Sequence, residues 1–111
     1  MFRKEGTTVF HGNDLSRYSG AVFDRAYLTK ELAPALAFRE KTGKRLYCGE
    51  YGTFVAIDME SRRRWTNDVS SLLKAAGIGR ALWTWKEMAF GLVDREGRVC
   101  DSGLMDAALL R

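Results

Sequence analysis

The sequence predicts an α/β fold in which parallel strands form a sheet and helices pack on its outside. Three strand-then-helix units can be read in order along the chain, and this alternation is typical of parallel sheets. The length of 111 residues is common for one domain, and an apolar fraction of 46% is enough to build one core. We therefore predict a single domain over residues 1–111.

The first unit is predicted to contain a strand over residues 7–11 and a helix over residues 27–41. Apolar residues near helical spacing indicate the helix, and Gly43 supplies a C-terminal stop. Pro34 lies inside this range, where proline removes a backbone hydrogen bond. A helix that starts close before Pro34 is therefore the alternative.

The second unit contains a predicted strand over residues 44–51, in which period-two alternation puts Leu46, Cys48 and Glu50 on one face. A helix over residues 61–76 follows. Its apolar stripe consists of Trp65, Val69, Leu72, Leu73 and Ala76.

The third unit begins with a predicted strand over residues 78–86, and the same alternation puts Gly79, Ala81, Trp83 and Trp85 on one face. Beyond it, the turn-type segment 94–97 predicts a small hairpin, and a short helix over about residues 102–110 ends the chain.

Composition argues against several functional classes. Cys48 and Cys100 have no metal-type spacing, so we predict neither a metal site nor a cofactor. The net charge of +4 and the run of arginines at 62–64 allow an anionic partner, but a short charge run is usually a solvated helix face, and we expect no nucleic acid. No apolar run approaches the roughly 18 residues of a membrane span, and we expect no membrane partner.

Chemistry-bearing side chains are predicted at the carboxyl ends of the strands, where sites form in parallel sheets. His11 ends the first strand, Glu50 nearly ends the second, and Trp83 and Trp85 end the third. A carboxylate, an imidazole and indole faces at one rim suit a sugar, whose hydroxyls need hydrogen bonds and whose C–H face stacks on aromatic rings. Structural roles for His11 and packing of Trp85 in the core remain the alternatives.

The segment 45–52, which reads Arg-Leu-Tyr-Cys-Gly-Glu-Tyr-Gly, resembles the Gly-Glu-Phe-Gly motif on the seventh strand of glycoside hydrolase family 5, the cellulases and their relatives. Residues 77–86 and 90–94 resemble the eighth strand of that family and the loop after it, and residues 9–11 resemble its sixth strand. The resemblance implies a partial TIM (β/α)8 barrel of about three βα units, corresponding to strands six to eight.

The same resemblance implies a retaining glycosidase that hydrolyses β-1,4-linked glucan or a related polysaccharide. Glu50 would be the catalytic nucleophile and Trp83 the floor of the sugar site, with His11 and Trp85 as further substrate-binding residues. The family's tyrosine near the nucleophile is replaced here by an asparagine, and Tyr18 could reach back from its loop instead.

The resemblance accounts for only one of the two catalytic carboxyl groups, because the chain contains no Asn-Glu dipeptide of the kind that carries the family's acid/base. A whole barrel needs about 250 residues, so we expect copies to self-associate and complete the sheet. A catalytically silent carbohydrate-binding fragment, or a purely structural fragment that oligomerises, are the alternatives. Family relatives are often secreted, but no signal peptide is seen in this chain, and its localisation stays open.

Overall fold

The computed structural model describes residues 23–111, so the predicted strand at residues 7–11 lies outside the described residues. The described elements alternate between helix and strand. In chain order they are α1 (Arg25–Thr42), β1 (Tyr47–Tyr51), α2 (Met59–Ala75), β2 (Gly79–Leu82) and α3 (Ser102–Leu109). The α/β class is thus confirmed.

Helix α1 starts and ends on specific capping contacts. The Asp24 carboxylate accepts a hydrogen bond from the Tyr27 amide at 2.8 Å, and Gly43 closes the helix at a φ of 69°. Pro34 lies inside the helix, so the alternative start near Pro34 is wrong. Three leucines of α1, Leu28, Leu32 and Leu36, pack against the core, and this packing offsets the hydrogen bond that Pro34 removes.

Helix α2 connects the two strands and covers one face of the sheet. Asp58 caps its N-terminus by accepting from the Ser61 amide at 2.8 Å. Gly77 follows its C-terminal end at a φ of 67°. The predicted range of 61–76 is therefore correct within two residues at its start.

The sheet of the described chain has two parallel strands, with Tyr47 paired to Gly79, Cys48 to Arg80, and Tyr51 to Leu82. Strand β2 is shorter than predicted, because the backbone leaves the strand after Leu82. Trp83 and Trp85 are thus not strand residues, and the single alternating face predicted from Gly79 to Trp85 is wrong in its second half.

The predicted face of β1 is confirmed for Leu46 and Cys48, which pack against the same buried cluster, but not for Glu50. The register of β1 shifts between Cys48 and Tyr51, and both of these residues, together with Leu46, pack against the core beneath α2. Residues three apart do not share a face in a regular strand, so the irregularity between Cys48 and Tyr51 is what lets both contact the core. Glu50 is exposed and does not share the environment of Cys48.

Two apolar clusters stabilise the described chain. The first lies between the strands and the helices α1 and α2, and its buried members are Tyr51, Trp65, Leu73 and Ile78. The second joins α3 to the segment after β2, and its buried members are Leu92, Val93, Leu104, Met105 and Ala108. Leu82 contacts both clusters, so the end of β2 connects the two parts of the core.

The predicted hairpin is present in reduced form. Val93 and Val99 form one antiparallel bridge, and the turn between them contains Gly97 at a φ of 81°. The Asp94 carboxylate accepts from the amides of Glu96 and Arg98, both at 2.9 Å, and these bonds hold the turn.

Candidate active site

Glu50 and Trp83 flank one backbone hydrogen bond at the carboxyl ends of the two strands. The Trp83 amide donates to the Tyr51 carbonyl at 2.7 Å, and Glu50 immediately precedes Tyr51. Because β1 and β2 are parallel neighbours, the acidic residue and the indole are at the same rim of the sheet. The structure therefore brings together the two residues that the sequence analysis joined.

Gly52 is required by this arrangement. A Cβ atom on Gly52 would overlap the Trp83 carbonyl oxygen and would lie 3.1 Å from the Trp83 carbonyl carbon. Gly49, in the same motif, is different, because its nearest neighbour would be a Tyr47 ring carbon at 4.0 Å. Only the second glycine of the Gly-Glu-Tyr-Gly segment is thus demanded by close packing of two backbones.

The side chains at the rim face water. Trp83 is 38% exposed and Trp85 is 58% exposed, and Glu50 is exposed as well. Within residues 23–111 the Glu50 carboxylate makes no ion pair. The backbone carbonyl of Glu50 accepts a hydrogen bond from the Cys48 thiol at 3.5 Å. The interpretation of Trp85 as a core residue is wrong, because the chain turns outward after Leu82.

The loops that follow the strands contact each other closely. We call residues 52–58 the first rim loop and residues 83–93 the second rim loop. The Val55 amide of the first donates to the Ala89 carbonyl of the second at 2.9 Å, and the rings of Phe54 and Phe90 lie 5.9 Å apart. In the second rim loop, the residues 87–89 all have φ near 60°, a left-handed conformation that is costly for residues with a Cβ.

Arg62 is a buried residue that the sequence analysis did not single out. It is only 4% exposed, and its guanidinium donates to Thr53 Oγ1 at 3.1 Å and to the Gly91 carbonyl at 3.5 Å. Burial lowers its pKa, and Cys100 and Asp101 partly counteract this effect. The sequence could not predict that Arg62 is buried, because arginine is normally exposed.

The three consecutive arginines have three different environments, so the prediction of one solvated face is correct only in part. Arg63 forms a forked contact with Asp101, the N-cap of α3, with Nε 2.8 Å from Oδ1. This contact and the Leu104 amide lower the Asp101 pKa to about 2. Arg64 pairs with Glu60 at 3.6 Å on the exposed surface.

Three carboxylates near the rim, Asp58, Glu60 and Glu87, are candidates for a substitute catalytic acid, and each has a structural partner. Asp58 caps α2, and its hydrogen bonds with Ser61 lower its pKa. Glu60 pairs with Arg64, and Glu87 lies 3.5 Å from Arg95. None of them stands out as the missing acid.

Two predicted site residues, His11 and Tyr18, lie outside the described residues. Across residues 23–111, no group of three or more His, Cys, Asp or Glu side chains could hold a metal ion. Nor does this part of the chain contain a helix that is long and apolar enough to cross a membrane.

The curated proteins that match this chain include endoglucanases and a cellodextrinase. Endoglucanase C of Acetivibrio thermocellus and Endoglucanase C307 of Clostridium sp. (strain F1) are each 39% identical over 83 residues, which cover 75% of this chain. Cellodextrinase A of Ruminococcus flavefaciens is 28% identical over 64 residues. The chain spans only 24% of the length of either endoglucanase and 19% of the cellodextrinase. No family model matches it.

Solved structures agree with this match. A hyperthermophilic endo-β-1,4-glucanase in complex with substrate superimposes with a TM-score of 0.72 and 26% identity, over 78% of this chain and 28% of that one. Thermotoga maritima Cel5A with cellobiose gives a TM-score of 0.71 at 25% identity, over 80% of this chain and 29% of Cel5A. The same enzyme with mannotriose covers 87% of this chain and 32% of Cel5A, with a TM-score of 0.74 at 22% identity.

The matched solved structures are TIM-barrel endoglucanases, and the described residues correspond to a part of such a barrel. The chain is a partial homologue of the cellulase-type endoglucanases, consistent with the C-terminal part of a glycoside hydrolase family 5 barrel.

Proposed function

We propose that this chain supplies the nucleophile strand and the aromatic floor of a retaining endoglucanase site. The observation that carries the proposal is the hydrogen bond of 2.7 Å from the Trp83 amide to the Tyr51 carbonyl, which keeps Glu50 and Trp83 at one rim. The substrate class is β-1,4-linked glucan or a related polysaccharide, as the names of the matched endoglucanases suggest. His11 and Tyr18 join the proposal as substrate-binding residues from the sequence alone.

In this mechanism a Glu50 carboxylate oxygen attacks the anomeric carbon, and the bond to the leaving sugar oxygen breaks as a second carboxylic acid protonates that oxygen. The resulting glycosyl-enzyme is hydrolysed by a water from which the second carboxylate removes a proton. Trp83 and Trp85 are exposed enough to stack on the apolar faces of sugar rings. The second carboxyl group must lie about 5 to 5.5 Å from Glu50 in a retaining enzyme.

We further propose that copies of the chain associate and cover the open face of the sheet, which would also bring a carboxyl group from a second copy to the rim. Tyr47 is 67% exposed and lies across Gly79 on that face. A parallel sheet is rarely stable with one face in water, and its edges present unpaired backbone groups. Light scattering at micromolar concentration should report an oligomer, and a monomer would exclude this part of the proposal.

The test of the enzymatic proposal is reducing-sugar release from a β-glucan by the purified oligomer. Glu50→Gln should abolish release, because the amide cannot form the glycosyl ester. Glu60→Gln is the matched control, since Glu60 is an exposed carboxylate whose ion pair is on the helix surface. Equal activity of Glu50→Gln and the control would exclude Glu50 as the nucleophile.

A catalytically silent sugar-binding fragment is the second candidate. It is favoured by the engagement of Asp58, Glu60 and Glu87 with structural partners, which leaves them unsuited to act as the acid. Such a protein would show quenching of tryptophan fluorescence by cello-oligosaccharides without release of sugar. A purely structural fragment would show neither signal.

A further inference from the structure

Arg62 connects three parts of the chain from a buried position. It belongs to the first turn of α2, and its side chain reaches Thr53 in the first rim loop and Gly91 in the second. Thr53 is 3% exposed and Gly91 is also buried, so these contacts are shielded from water. Each of the two loops directly follows a strand that ends at the proposed site.

The environment of Arg62 is unusual for a charged group. It makes no ion pair with a carboxylate of residues 23–111, and its named acceptors are a hydroxyl and a carbonyl oxygen. The carboxylate of Asp101, whose charge acts to raise the pKa of Arg62, is engaged by Arg63. Burying a charge without a counter-charge is costly, and methionine of similar length would fill the same volume at no such cost. Core filling alone therefore does not explain an arginine here.

The geometry of the guanidinium does explain it. Its nitrogens are held in one plane and donate in different directions, so Nε and Nη2 can reach two separate loops at once. Lysine carries a compact ammonium and cannot span both acceptors in this way. The Thr53 hydroxyl lies one residue from Gly52, whose backbone packs on the Trp83 carbonyl.

We propose that Arg62 is a positioning residue that holds the two rim loops together and thereby sets the spacing between Glu50 and Trp83. This inference rests on the proposed function for its consequence at the sugar site. Its structural part concerns only the loops and can be tested separately.

The experiment compares Arg62→Met, Arg62→Lys and Thr53→Val with Arg64→Met as the control, on the full chain. Arg64 is on the same helix with a side chain that is 68% exposed. Amide hydrogen exchange is measured at Val55 and Leu92. The Val55 amide donates to the Ala89 carbonyl, and the Leu92 amide donates to the carbonyls of Thr84 and Trp85; all three acceptors lie in the second rim loop. Ala76, whose amide donates to Leu72 at the far end of α2, is the reference.

We expect protection at Val55 and Leu92 to fall by about tenfold or more in the Arg62 variants, which is what loss of one hydrogen bond to a charged group is worth. Protection at Ala76 should not change, and Arg64→Met should resemble the unmodified chain. Unchanged protection at the loops, or an equal loss at Ala76, would overturn the proposal. If Arg62→Met does not fold, the milder Thr53→Val decides by the same criteria, because it removes one acceptor without removing the charge.

Titration with cellobiose, followed by tryptophan fluorescence, links the loops to the site. The Arg62 variants should bind about tenfold more weakly, while Arg64→Met binds normally. Normal binding by loosened loops would overturn the link between Arg62 and the site. If the unmodified chain gives no response to cellobiose, the proposed function fails, and the exchange measurement still decides whether Arg62 holds the loops.

Discussion

Replacing Gly52 by alanine should destabilise the chain strongly, because the new methyl group has no room. It would overlap the Trp83 carbonyl oxygen and meet the Phe90 Cδ1 atom at 3.6 Å. The Phe90 ring can rotate, but the Trp83 carbonyl belongs to the backbone and cannot move without shifting the end of β2. That shift would also break the hydrogen bond that the Trp83 amide donates to the Tyr51 carbonyl at 2.7 Å.

The size of the effect is the sum of two contributions, the steric overlap and the lost backbone hydrogen bond. Overpacking of this kind costs about 1–3 kcal/mol. The backbone hydrogen bond contributes about 1 kcal/mol more. The sum of about 2–4 kcal/mol is a large share of a typical domain's stability of about 5–15 kcal/mol. At about 4 °C or more per kcal/mol, Gly52→Ala should lower the melting temperature by at least about 8 °C.

The assay is thermal unfolding followed by circular dichroism, with Gly49→Ala as the matched control. Gly49 is three positions earlier in the same motif, and its added methyl group would lie 4.0 Å from its nearest neighbour in the Tyr47 ring. The control should stay within about 0.5 kcal/mol of the unmodified chain. If both variants melt at the same temperature, the contact between the first rim loop and Trp83 is not what makes Gly52 necessary.

Three further predictions concern the helices. Leu104→Ala should lower the free energy of unfolding by about 2–5 kcal/mol, because Leu104 is 1% exposed. Leu109→Ala on the same helix should lower it by under about 0.5 kcal/mol, because Leu109 is exposed. Urea denaturation measures both, and equal losses would contradict the assigned core. The contact with Arg63 lowers the pKa of Asp101 to about 2, so the contribution of Asp101 to stability is complete above about pH 4 and is lost as the pH falls toward 2. Asp101→Asn should therefore reduce the difference in unfolding free energy between pH 6 and pH 2. An unchanged difference would argue against the contact. Gly43→Ala should cost about 1 kcal/mol through the left-handed conformation alone, since no atom lies within 4 Å of the added Cβ, and a neutral result in the same urea assay would contradict that origin.

The features that could be predicted from the sequence depend on local periodicity and turn chemistry. The apolar stripe of α2, the left-handed glycine after α1 and the turn at 94–97 each follow from residues that are close in the chain. The neighbouring positions of Glu50 and Trp83 followed from the family resemblance and the alternation of strand and helix. These features required no knowledge of which distant segments would touch.

The environments of individual side chains, in contrast, depend on tertiary contacts that the sequence pattern does not contain. Glu50 is exposed although Cys48 packs against the core, and the early end of β2 leaves Trp85 exposed. Packing between the two rim loops made Gly52 necessary and buried Arg62, although arginine in a charged run reads as exposed. Such outcomes depend on contacts between residues that are tens of positions apart, and a periodic pattern carries no information about those contacts.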